Sequence, residues 1–153
     1  AKIEPQRWYY HCDKLGLIVW QDMVNGGGPY KLWFVTYLTN VFQPLLRRLP
    51  DARPLWSLLG RETEAGREEY ARELEATVKT LQCHPCVGCW VPFNEGWGQF
   101  DAAGAVEAVR RLDDTRLVDE ASGWNTAALH GPCPAMSRPA GRTATARQRA
   151  GPS

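Results

Sequence analysis

A chain of 153 residues, 44% hydrophobic and 23% charged, is long enough to bury one core, and this composition excludes disorder throughout. Its formal net charge of +1 supplies no dense basic face, so neither nucleic acid nor an anionic membrane is an expected partner. The sequence holds no apolar run of bilayer-spanning length, and the opening "AKIEPQRWYY" lacks the apolar centre of a leader peptide, so a soluble chain is expected.

Pro5 pre-sets a first helical turn, and the pattern predicts a helix through Lys14 with Gly16 as a left-handed stop. Leu17 to Trp20 is a short, continuous apolar run, as in a strand buried on both faces, and it leads into Gln21 and Asp22. "MVNGGGPYK" reads as a loop. Its glycines lack the Gly-Lys-Ser/Thr ending of a phosphate cradle, and no helix opens on them. Trp33, Tyr37 and Val41 form one row four apart and Phe34, Leu38 and Phe42 the next, which predicts a helix ended or kinked by Pro44. Three prolines leave "LLRRLPDARPLWSLLG" irregular, with short helical turns.

Gly66 to Gln82 is the clearest helix, with Tyr70, Leu74, Val78 and Leu81 in one stripe and the pairs Glu68/Arg72 and Glu75/Lys79 four apart. His84 and Pro85 stop it. The apolar "CVGCWVPF" then predicts a second buried strand, which ends at Asn94 and Glu95. Asp101 is placed to cap a helix whose inner face is Ala105, Val106, Val109 and Leu112. "DDTR" turns the chain, and "LVDEAS" reads as a third strand.

Alternating helices and buried strands imply an α/β fold with a parallel sheet, either open or closed into a barrel. In both cases function gathers at the carboxyl ends of the strands, where Asp22 and Glu95 fall. The organised part is expected over 1–130. From Gly131 the chain has no Val, Ile, Leu, Phe, Tyr or Trp, and residues 131–153 are expected to be disordered.

Five cysteines, Cys12, Cys83, Cys86, Cys89 and Cys133, are an odd number, which suits reduced thiols and a cytoplasmic location better than a disulfide framework. "CHPCVGC", with His11 and Cys12, is the metal candidate. Strand alternation puts Cys86 and Cys89 on opposite faces, so they read as small buried hydrophobes rather than as ligands of one zinc ion.

Glu95 is the candidate with chemistry. A carboxyl group at the mouth of a parallel sheet, flanked by Phe93 and Trp97, is partly desolvated, and desolvation favours the protonated form that a general acid needs. Glycosidic bond hydrolysis uses such an acid with a second carboxylate as nucleophile or base. Trp97 offers a face for a sugar ring, and Asn94 and Gln99 offer polar partners for its hydroxyls. The plain alternative is that Glu95 only opens a loop, and residue chemistry alone leaves the two readings level.

"KLGLIVWQDM", "HPCVGCWVPFNEGWGQFD" and "TRLVDEASGW" resemble the catalytic barrel of glycoside hydrolase family 2, the group that includes β-galactosidases, β-glucuronidases and β-mannosidases. The resemblance runs from about the N-terminus to Trp124. It implies part of a (β/α)8 TIM barrel, about strands three to five with their helices, and a retaining mechanism. It also implies Glu95 as acid/base and Asn94 as a contact to the sugar 2-hydroxyl, with Asp22, Trp97 and Trp124 lining the site and no metal or organic cofactor. The family nucleophile is a second Glu on the seventh strand, beyond these residues. Glu120 does not replace it, because it lies on the fifth strand, where the family more often carries His. A barrel of this kind needs about 250 residues. The chain therefore reads as a truncated fragment, inactive alone, with an out-of-frame tail after Asn125. The rival reading is a non-catalytic carbohydrate-binding or interaction protein. Oligomeric state is not assigned.

Overall fold

The computed structural model describes residues 2–26, 56, 60–94 and 98–121. The helix expected over 33–44, most of the proline-rich stretch after it, Glu95, Trp97, Trp124, Cys133 and the tail over 131–153 lie outside the described residues.

Helix α1 spans Gln6–Leu15, directly after Pro5. Gly16 closes it at a φ of 67°, a left-handed conformation in which glycine meets no Cβ penalty. The first strand, β1, is Val19–Asp22. After it come α2 (Glu64–Leu81), β2 (Val87–Val91), α3 (Ala102–Leu112) and β3 (Leu117–Val118). The strands form one sheet in the order β1-β2-β3, and both neighbouring pairs are parallel. Consecutive parallel strands added in one direction through right-handed crossovers put their helices on one face, and α2 packs against α3 there.

The α2 stripe is buried as its spacing predicts, at Tyr70, Leu74, Val78 and Leu81. Thr63 caps this helix, its Oγ1 accepting from the Gly66 N–H at 3.3 Å. Asp101 caps α3 by accepting from the Gly104 N–H at 3.3 Å. The inner face of α3 differs from expectation. Ala102 and Val109 are buried, and Ala105, Ala108 and Leu112 pack beside them, while Val106 stays off the core. Val106 is one step of roughly 100° round the helix from Ala105, on the side away from Leu112, so it falls outside a stripe centred on Ala105, Val109 and Leu112.

Side chains alternate across the sheet. Gln21, Trp90 and Val118 share a register position and face the helices, where the Tyr9 hydroxyl donates to Gln21 Oε1. Trp20, Cys89 and Leu117 occupy the preceding register position and face the other way, as do Asp22 and Val91. The reading of the first strand as buried on both faces is corrected here, because Leu17, Ile18 and Trp20 are 51%, 79% and 63% exposed. A run of apolar residues specifies a strand but not what covers it, and among the described residues β1 has a neighbour on one edge only.

Charged side chains tie together the amino end of the sheet. Arg116 donates to the backbone carbonyls of Val87, Gln82 and His84 at 2.7, 2.8 and 3.2 Å, and to Asp113 Oδ2 at 2.6 Å. The Trp90 indole N–H donates to the same carboxylate at 2.9 Å. Burial, the largest influence on Asp113, pushes its pKa up, but hydrogen bonds from Thr115, Trp90 and Arg116 together outweigh it and hold the carboxyl below its usual range. Asp13, near the end of α1, takes the Cys86 backbone N–H on one oxygen and His84 Nδ1 on the other, both at 2.7 Å. Hydrogen bonding from Cys86 and His84 lowers the Asp13 pKa.

Candidate functional site

The candidate site is the opposite, carboxyl edge of the sheet. The ladder runs past the formal strand ends, because Met23 N–H donates to Val91 O at 2.9 Å, Asp119 N–H to Trp90 O at 2.9 Å, and Phe93 N–H to Glu120 O at 3.2 Å. Asp22 therefore stands opposite Val91 at the end of three aligned strands, with Asp119 one step beyond β3. Burial raises the Asp22 pKa, and the nearby Asp119 carboxylate adds to the shift. Cys89 shares this neighbourhood. Its thiol pKa is raised, first by burial, with Asp119 and Asp22 adding to the shift.

The segment after β2 is anchored before it reaches Glu95. Phe93 is fully buried and stacks on Tyr70 of α2, with ring centroids 5.1 Å apart and planes 12° from parallel. The Tyr70 hydroxyl donates to Pro92 O at 2.7 Å, and burial raises its pKa. Asn94 is partly buried, and its carbonyl accepts from Asn25 Nδ2 at 3.4 Å. The chain returns at Gly98, whose φ is 64° and whose carbonyl accepts from Arg61 Nε at 3.1 Å. A Cβ at Gly98 would lie 2.3 Å from Asn25 O, so only glycine fits between Asn25 and Arg61. This gives the second glycine of "NEGWGQF" a physical reason.

Of the five residues expected to form a site, Asp22 and Asn94 stand at the carboxyl ends of adjacent strands, and Glu95, Trp97 and Trp124 lie outside the described residues. Gln99 is 2% exposed, buried rather than offered on an open surface. Sequence reasoning missed Asn25, Arg61 and Asp119. Asn25 sat inside a glycine loop and Arg61 in a proline-broken stretch, neither of which carries a periodic signal. Asp119 was within reach, since it is two residues from Leu117 and so on the same face of a strand.

The cysteine cluster separates as alternation requires. The Cys86 thiol donates towards Tyr9 O at 3.6 Å on the α1 side, whereas Cys89 lies on the other face. Burial, with Asp13 adding to it, pushes the Cys86 thiol up to about 12, which disfavours the thiolate. Among the described residues no three His, Cys, Asp or Glu side chains gather as a metal site, and no helix is long and apolar enough to cross a membrane. A groove of about 530 Å³ between α2 and α3, lined by Tyr70, Leu74, Phe100, Ala105 and Leu112, belongs to the helical layer and not to the face that carries Asp22.

No family model matches the chain. The chain is similar to beta-mannosidase B of Thermothelomyces thermophilus, with 29% identity over 101 residues. That stretch is 66% of this chain and only 8% of the fungal protein, so the likeness is to a small part of a glycosidase.

Proposed function

We propose that this chain carries the acid/base side of a retaining β-glycosidase, as strands three to five of a family 2 TIM barrel. Glu95 is the general acid/base, Asn94 the contact to the sugar 2-hydroxyl, and Asp22, Trp97 and Trp124 line the sugar site. The observation that supports this most is the position of Asn94. It lies three residues past a buried parallel strand, on the same edge as Asp22, within a chain that resembles a mannosidase over 101 residues.

The chemistry follows from that placement. A carboxyl group held at a largely apolar strand end keeps its proton near neutral pH and delivers it to the leaving oxygen. A second carboxylate about 5 to 5.5 Å away attacks the anomeric carbon as the bond to the leaving oxygen breaks, and water, deprotonated by the same acid/base residue, then hydrolyses the glycosyl ester and frees the carboxylate. We assign that nucleophile to a later strand of the barrel, and we assign residues 131–153 to translation in another frame. The parallel sheet and sequential strand order are compatible with a barrel, and the exposed Trp20 and Leu117 would then face its interior. The substrate class is a β-linked glycoside, with β-mannosides the first to offer. No cofactor enters this chemistry.

The test begins with the source DNA across the codon for Asn125. The frame that continues into further βα units is expressed, and the product is assayed on aryl β-mannosides, β-galactosides and β-glucuronides. Turnover of one of these is expected. Glu95→Gln should abolish hydrolysis of substrates with poor leaving groups and spare activated ones. Absence of any continuing frame, or equal loss on both substrate types, counts against the proposal.

A further inference from the structure

The segment proposed to carry the acid/base is gripped at both ends by residues from outside its own βα unit. At its start, Asn25 Nδ2 donates to Asn94 O at 3.4 Å across 69 residues of chain. At its end, Arg61 Nε donates to Gly98 O at 3.1 Å, and Asn25 O touches the α-carbon side of the same glycine so closely that a Cβ there would lie 2.3 Å away. Arg61 is itself immobilised. It is 3% exposed, donates through Nη1 to Gly66 O at 3.2 Å, and its guanidinium lies over the rings of Tyr70 and Phe100 at 4.9 and 5.5 Å. A buried arginine costs desolvation that a fold without a use for it avoids. Here its planar fork spans two backbone carbonyls, Gly66 O on α2 and Gly98 O, while its faces meet aromatic rings, a geometry that lysine cannot reproduce.

We infer that Arg61, assisted by Asn25, is the positioning residue for the acid/base Glu95, acting by fixing the two residues that flank its stretch, Asn94 and Gly98, relative to α2. This rests on the proposed role of Glu95. Acid catalysis is sensitive to such placement, because a displacement of about 1 Å at the reacting group can cost roughly 100-fold in rate. Arg61 acts through Gly98 and needs no contact with substrate.

Two measurements test this on Arg61→Met, Arg61→Lys and Asn25→Ala. In the protein read from the continuing frame, Arg61→Met should lower kcat by roughly 10- to 100-fold on glycosides with poor leaving groups. KM should hold within about twofold, and activated aryl glycosides should lose about threefold or less. Arg61→Lys, which keeps one donor, should fall between Arg61→Met and the parent, and Asn25→Ala should show the same leaving-group dependence more weakly. In the 153-residue chain, amide hydrogen exchange at Gly98, Gln99 and Phe100 should quicken by about tenfold or more in Arg61→Met, with Val87–Val91 unchanged. Equal loss on both substrate types, or exchange that quickens evenly over the whole sheet, makes Arg61 a general stabiliser and overturns the inference, as does no change in either measurement. If the parent protein hydrolyses nothing, the glycosidase reading fails, and localised exchange would then establish a clamp on Gly98 that serves no acid catalysis.

Discussion

The two ends of the sheet are built on different principles. At the amino end, buried ions are spent on cohesion: Arg116 joins three backbone carbonyls to Asp113, Asp113 takes the Trp90 indole, and Asp13 links α1 to the turn before β2. At the carboxyl end the fixing is done by aromatic stacking, backbone ladder bonds and the reach of Asn25 and Arg61, while burial, with the charge of Asp119 across β2 adding to it, pushes the Asp22 carboxyl towards its neutral form. The same residue type thus has opposite tendencies at the two ends. Asp113 is held ionised by donors, and Asp22 is disfavoured as an ion by burial and a like charge.

The sharpest way to break this contrast is Asp113→Ala. It removes a buried carboxylate and strands a partly buried arginine and a buried indole N–H, and it should cost about 3–5 kcal/mol in urea unfolding. A loss below about 1 kcal/mol would remove the cohesive role assigned to the amino end. Gly98→Ala attacks the other end by forcing a Cβ into Asn25 O at a φ of 64°. It should cost about 1–3 kcal/mol, with hydrogen exchange quickening locally around 98–100 while the amino end keeps its protection.

Acid titration sharpens the comparison further. The folded pKa of Asp113 lies below 3.8, so its stabilisation is complete above that value and disappears as the pH falls through the folded pKa. The folded pKa of Asp22 lies above 3.8, so its contribution favours folding in acid and is lost as the pH rises from 3.8 through the folded value. Asp22→Asn should therefore improve stability relative to the parent more at pH 7 than at pH 3, and Asp113→Asn should do the reverse, when both are read as urea midpoints. The smallest effect is reserved for Trp20→Thr, because that ring is 63% exposed. It should shift the unfolding free energy of the 153-residue chain by about 0.5 kcal/mol or less, whereas Trp90→Ala, at a fully buried position, should cost about 3–5 kcal/mol.

What could be read in advance followed from local rules. The α2 stripe was legible because four apolar residues at helical spacing allow one buried face, and Asp101 was legible as a cap because a short acidic side chain before an alanine-rich segment has few other uses. Asp22 and Asn94 were legible because parallel strands end in the same direction. The clamp was not legible. Arg61 and Gly98 are 37 residues apart, and Asn25 and Asn94 are 69 apart, and no periodicity links a buried arginine to a distant carbonyl. The exposure of Leu17, Ile18 and Trp20 was misread for a related reason, since an apolar run carries no information about whether a covering layer exists.

Arg116 also sets an order of events. Strand order equals chain order, so the sheet can grow one βα unit at a time as the polypeptide leaves the ribosome, without waiting for a distant segment to return. Its guanidinium grips carbonyls at residues 82, 84 and 87, all of which emerge earlier. Until residue 116 is out, β2 and the end of α2 lack that tie, and its arrival seals a unit already in place. A nascent chain halted before this arginine would hold β1 and β2 without the latch and without β3, so the short stretch 116–118 brings both the tie and the last strand.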